Sequence, residues 1–312
     1  MEKTSKRVRE LVLLEDRLSS VIRGKERAIR LAIATLLCRG NLLIEDVPGV
    51  GKTTLAFTLA SAIDCSFQRI QFTSDLMPAD IVGVSIYNKG SGEFEFKKGP
   101  IFSNIVLADE INRTTPKTQS ALLEAMNEKR VSVERNTYVL PSPFMVIATQ
   151  NPMEYRGTFP LPESQLDRFA MHLKLGYPGQ RDEREAIMRG STFDEIAAMG
   201  PVVTGDEILR LQSEVDDVSL DESILDYIME IIVRSRENEK IRLGVSTRGA
   251  QFLVRAAKAM AYCDGRLFVT PGDVKNVAPQ VLGHRIILKR QGVLGDADSL
   301  VSEILDSINV PL

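Results

Sequence analysis

The sequence predicts an α/β core on a parallel five-stranded sheet, followed by an all-α domain, and three observations support that prediction. Five short, nearly continuous apolar runs alternate with segments of helical periodicity, the pattern of a parallel sheet covered on both faces. A glycine-rich loop joins the first of those runs to a helix. Beyond Tyr177, Pro178 and Gly179 the strand signal largely disappears and helical spacing takes over.

Residues 7–38 carry apolar positions at helical spacing, first Val8, Leu11, Leu14 and Leu18, then Ile29, Ile33, Leu36 and Leu37. The break at 21–24 predicts two helices around a short turn. NLLIE (41–45) has strand length, and Pro48, Gly49 and Gly51 make a loop before a helix from Thr53 to Ile63. The further strands are FQRIQF (67–72), NIVLADE (104–110), FMVIATQN (144–151) and MHLKL (171–175), with TPKTQSALLEAMNEK (115–129) as a helix. Segments 81–99 and 131–142 read as β-hairpins, inserted between core elements so that they project from the domain. After them DEREAIM, GDEILRLQSEV, DESILDYIMEIIVRSRE, TRGAQFLVRAAKAMAYC and TPGDVKNVAPQVLGHRIIL read as helices. The boundary is expected at about residue 180, giving a core at 1–180 and a helical domain at 181–312.

Two domains agree with a length of 312 residues, which exceeds the common single-domain size. No apolar stretch approaches the roughly 20 residues of a membrane-spanning helix. The opening MEKTSKRVRE is charged and lacks the apolar middle of a signal peptide, so a cytoplasmic location is expected. Cys38, Cys65 and Cys263 are widely spaced and odd in number, so they read as small apolar residues and not as a disulfide framework or a CxxC site. His172 and His284 stand far apart in sequence, against a histidine-based metal site. A net charge of −3 gives no global attraction to nucleic acid or acidic membranes and favours a protein partner.

The strongest local signal is the run from Pro48 to Thr54, PGVGKTT, between a strand and a helix. In a phosphate-binding loop the glycines let backbone amides face the phosphates, the lysine reaches the terminal phosphates, and the next hydroxyl ligates magnesium. The helix N-terminus adds its dipole. Asp46 stands where the motif's first glycine is expected, and a simple glycine-rich turn is the bland alternative. IVLADE places Asp109 and Glu110 just beyond a buried strand, at the carboxyl edge where ligands bind. Asp109 there can meet the magnesium and Glu110 can polarise an attacking water, although two acids ending a strand are also common solvated turn residues. Gln150 and Asn151 end the next strand, where an amide could hold the attacking water or the γ-phosphate, or Asn151 could simply form a turn before Pro152. Without an NKxD guanine-reading motif, or the HRD and DFG of a kinase, ATP is the expected nucleotide.

DVPGVGKTT, IVLADEINRTTPKTQSALLEAM, IATQNP, LPESQLDRF and GVSTRGAQ, in that order, resemble the motifs of the MoxR family of AAA+ ATPases over nearly the whole chain. The resemblance implies a P-loop NTPase core with an all-α lid, an insert in helix 2 at about 75–100 and a hairpin at about 131–142 before sensor 1. It implies that Asp46, Val47, Pro48, Gly49, Val50, Gly51, Lys52, Thr53 and Thr54 form the nucleotide loop, with Thr53 and Asp109 on Mg2+. It gives Glu110 as the Walker B glutamate, Asn151 as sensor 1, Arg168 as the finger that reaches the neighbouring subunit's nucleotide, and Arg248 as sensor 2. Val21 and Ile22 resemble the apolar contacts to adenine, and Thr247 stands where the family often has proline.

The function so implied is Mg2+-dependent ATP hydrolysis by a homo-oligomer, a hexameric ring, that acts as a chaperone-like machine on protein or metalloenzyme complexes. A partner carrying a von Willebrand factor A domain is part of that expectation. One alternative is a nucleic-acid motor or loader, for which Lys89, Lys97 and Lys98 in the first hairpin speak and Glu93 and Glu95 speak against. Another is a nucleotide-gated scaffold with little turnover.

Overall fold

The structure is a computed structural model that describes residues 2–90, 92–134, 136–151, 158–189, 193–289 and 296–311. Helices α1 (Glu2–Val21) and α2 (Glu26–Leu37) precede strand β1 (Leu42–Glu45), helix α3 (Lys52–Ala62), a two-residue strand β2 (Ile63–Asp64) and β3 (Phe67–Gln71). A first insertion follows, α4 (Pro78–Val82) with the hairpin β4 (Gly83–Asn88) and β5 (Glu93–Lys98). Strand β6 (Ile105–Asp109) returns to the sheet, and α5 (Pro116–Glu128) leads into a second hairpin, β7 (Arg130–Val133) and β8 (Asn136–Val139). Both hairpins are antiparallel pairs, as expected, while Ser91 and Arg135 at their turns lie outside the described residues. The core closes with β9 (Met145–Gln150), the short helix α6 (Glu163–Leu166) and β10 (Met171–Leu173).

These strands form the expected five-stranded sheet, in the order β10-β1-β9-β6-β3 with every neighbouring pair parallel. Its apolar runs are continuous because both faces are buried. Leu42, Ile44, Leu107 and Ile147 point into one hydrophobic cluster, and Leu43, Val106, Val146 and Ala148 point into the other.

The rest of the chain is helical: α7 (Gln180–Arg189), α8 (Phe193–Ala198), a two-residue strand β11 (Val203–Thr204), α9 (Gly205–Asp216) and α10 (Glu222–Glu237). It continues with β12 (Ile241–Leu243), α11 (Thr247–Cys263), α12 (Pro271–Leu282), β13 (Ile287–Leu288) and α13 (Asp296–Asp306). Local chemistry sets several starts. Thr204 and Glu207 form a capping box on α9, Asp221 caps α10 and Ser246 caps α11. One helical expectation is corrected. VLGHRIIL does not continue α12: after Leu282 the chain takes a 3-10 turn at Gly283–Arg285, and Ile287–Leu288 pairs with Ile241–Leu243. The successive β-branched Ile286 and Ile287 favour extended backbone there, and Arg285 is drawn toward the core.

Lid and core share buried surface. One cluster runs from the sheet face through α1, α2 and α3 into α9 to α13, with Leu14, Ile33, Leu211, Leu253 and Val277 all fully buried. Phe57 of α3 packs edge-to-face on Phe67 and Phe193, with ring centroids 5.4 and 5.0 Å away, and β11 pairs in parallel with β2. Cys38 lies buried in this cluster, where burial pushes its thiol up to about 12.

Candidate active site

Because β1, β9 and β6 are parallel neighbours, their carboxyl ends bring three sequence-distant segments to one edge of the sheet. Beyond β1 the glycine-rich loop turns through Gly49 and Gly51, whose φ angles of 85° and 92° need glycine. Apart from the adjoining residues of the loop, no atom of the described residues lies within 4 Å of where a Cβ would stand at either position, so the loop borders open space. Gly51 is the N-cap of α3 and no side chain caps that helix, which leaves its first amides directed at the cradle. Lys52 Nζ donates to the main-chain oxygens of Asp46, at 2.7 Å, and Gln150, at 2.9 Å. Burial lowers the Lys52 pKa, while the carboxylates of Asp109, Asp46 and Glu110 favour its charge. Pro48 is exposed, and Val47, Val50, Thr53 and Thr54 are half-buried around the loop.

Asp46 is a fastener. Its Oδ1 accepts the Val47 amide at 2.8 Å and its Oδ2 accepts the Gly176 amide at 2.6 Å, tying the loop to the segment that leaves the core after β10.

At the end of β6 the buried Asp109 accepts from Thr149 Oγ1 at 2.5 Å and from Arg69 Nη2 at 2.6 Å. Glu110 takes a left-handed backbone, φ 58° and ψ 48°, and its amide donates to Thr149 Oγ1 at 2.9 Å. Its carboxylate accepts from Gln71 Nε2 at 2.8 Å and pairs with Arg113 Nε at 3.1 Å. Arg69, Gln71 and Thr149 escape sequence reading. The only available signal is that Arg69 and Gln71 alternate onto one face of a strand, and the sheet register supplies the rest by setting Gln71 opposite Asp109. Asn151 is buried beside the same edge, its carbonyl 3.5 Å from Asn112 Nδ2, and the neighbouring Gln150 Nε2 is buried without a partner among the described residues.

The two arginines of the resemblance sit near the lid junction. Arg168, two residues beyond α6, donates to the Leu123 carbonyl on α5 at 2.7 Å. Arg248, in the first turn of α11, lies 3.6 Å from Asp167. Asp167 also accepts from Ser246 Oγ at 3.0 Å and Arg285 Nε at 2.9 Å, so this carboxylate, which sequence reading passes over, joins core to lid. Ile22 is buried in the shared cluster and Val21 packs against it.

Backbone amides at an open glycine cradle, a lysine, a hydroxyl and a carboxylate form a donor set that fits the phosphate chain of a nucleotide with a small divalent cation. Fold and site together define a P-loop NTPase of the AAA+ type. The family model of the ATPase family associated with various cellular activities (AAA) matches residues 41–171, and that of the AAA lid domain matches residues 233–304. The chain is 47% identical to an uncharacterised protein, YeaC, of Bacillus subtilis over 95% of its own length and 93% of that protein's. It is 37% identical to the chaperone MoxR1 of Mycobacterium tuberculosis, covering 93% of this chain and 80% of that one. It is also 32% identical to the protein MoxR of Paracoccus denitrificans, covering 88% and 87%. A crystal structure of a protein from Cytophaga hutchinsonii superposes with a TM-score of 0.89 at 39% identity, over 100% of this chain and 98% of that one. The chain belongs to the MoxR family of AAA+ ATPases.

Proposed function

We propose that the chain binds ATP with Mg2+ and hydrolyses it within a ring of identical subunits, six on the family resemblance, to remodel a protein client. The observation that carries the reading is the convergence of Lys52, Asp109 and Glu110 at one sheet edge beside the open glycine cradle. In this reading the amides of Gly49 to Thr54 and the Lys52 ammonium hold the phosphates, and Val21 and Ile22 border the adenine. Thr53 and Asp109 would hold Mg2+, which when bound neutralises charge between the terminal phosphates. Glu110 polarises the attacking water and Asn151 orients it. Arg248 places positive charge from the subunit's own lid. Arg168 leaves its rest on Leu123 and supplies charge to the neighbour's nucleotide.

A protein client is supported by the first hairpin, whose Val84, Ile86, Tyr87 and Phe94 are exposed, Phe94 to 70%. The naming of the mycobacterial relative as a chaperone points the same way. A partner with a von Willebrand factor A domain remains part of the proposal.

Hydrolysis completed across subunits has a direct test. Arg168→Ala and Glu110→Gln chains should each be nearly inactive alone and regain hydrolysis when mixed, since one class of interface then has both groups. The loss for each should be on the order of 10³-fold or more. Mixed rings that form and stay inactive at every ratio would overturn the trans assignment.

A further inference from the structure

Arg285 stands outside every motif that carries the family resemblance, yet it makes a dense set of polar contacts at the junction between lid and core. Its side chain is 1% exposed. Nε donates to Asp167 Oδ1 at 2.9 Å, Nη2 donates to the carbonyls of Asp167, at 3.1 Å, and Phe169, and Nη1 donates to the carbonyl of Ala170 at 3.3 Å and to that of Val281. All three guanidinium nitrogens are used, and their core acceptors lie on both sides of Arg168 in sequence. The channel is shaped for it: a Cβ at Gly249 would stand 2.7 Å from Arg285 Cδ, and the guanidinium lies 5.1 Å from the Phe252 ring centroid. Burial pushes its pKa down to about 10, against the pull of Asp167. An apolar side chain would fill such a place without that desolvation, so the charge calls for a role beyond packing.

We propose that Arg285 is a positioning residue for Arg168: from the lid it fixes residues 167–170, and so couples the lid of one subunit to the arginine that the subunit offers its neighbour. Asp167 is the pivot, since it holds Arg285, Ser246 and Arg248 at once. When Arg248 turns to its own nucleotide, Arg285 keeps the segment attached to the lid, and the lid's movement is delivered to Arg168. The inference rests on the trans reading of Arg168.

The test uses full-length chains. Arg285→Met alone should lower kcat by on the order of 10²-fold, less than the loss of a finger itself, while affinity for a fluorescent ATP analogue stays within about twofold. The decisive readout is mixing. If Arg285 acts through Arg168, an Arg285→Met chain is a poor donor but a competent acceptor, so addition of Glu110→Gln chains should restore hydrolysis, as it should for Arg168→Ala chains. Recovery with Arg168→Ala but not with Arg285→Met would overturn the positioning role and leave the trans reading standing. Recovery with neither, in mixed rings shown to assemble, would remove the trans reading and this inference with it. If Arg285→Met does not fold, Arg285→Lys takes the same test, because it keeps the charge and loses the fork that reaches several carbonyls.

Discussion

At Asp46 one carboxylate accepts two amides, one within the phosphate loop and one at Gly176. A hydrogen bond to a charged group contributes about 1.5–3 kcal/mol. Asp46 is half-exposed and solvent screens both bonds, so Asp46→Ala should lower stability by about 1.5–3 kcal/mol in urea titration, about one such bond's contribution. It should raise KM for ATP more than it lowers kcat, because the loop loses its anchor while Lys52 and Glu110 remain. Restoration of the usual glycine at this position should weaken the protein in the same way, and unchanged stability would show that the tie is idle. That Lys52, Asp109 and Glu110 meet at one sheet edge was legible from sequence because all three sit at fixed offsets from strand ends. Arg69, Gln71, Thr149, Asp167 and Arg285 were not, because each acquires its role from a partner in another element, brought near by sheet register or lid docking.

The hairpins are elements that the sequence announces through Gly-rich turns and alternating residues, and each is found where that pattern lies. Their mutual packing is not announced: Phe96 of the first stacks on Tyr138 of the second with ring centroids 4.5 Å apart, and Phe102 meets both. The exposed Tyr87 and Phe94, by contrast, pair with each other near the tip, at 5.4 Å. On the proposed function, replacement of residues 85–95 by a short turn should leave basal ATP hydrolysis within about threefold, a change under 1 kcal/mol in barrier, and abolish stimulation by a client and its remodelling. A parallel loss of both activities would refute that separation. The small pair β12 and β13 escapes sequence reading for a different reason. Three residues against two carry too little periodicity to stand out beside long amphipathic helices.

At the scale of the molecule, the sequence makes the order of core and lid legible because strand and helix periods differ, but it does not disclose that α1 and α2 bury their apolar faces in a cluster common to both. Folding should therefore follow the shared cluster and not the expected division at about residue 180. The intact chain should unfold in one calorimetric transition with matching calorimetric and van't Hoff enthalpies, while a fragment of residues 41–180, stripped of α1, α2 and the lid, should keep helical circular dichroism without a cooperative transition. A sharp transition from that fragment would show the α/β region to be self-sufficient. The stacked hairpins carry a mechanical consequence. The second hairpin grows directly out of α5, and the carbonyl on which Arg168 rests belongs to the same helix. Load applied near the exposed tip of the first hairpin would pass through Phe96 and Tyr138 into the second and then into α5, so a pull on that hairpin would reach the shelf on which Arg168 rests.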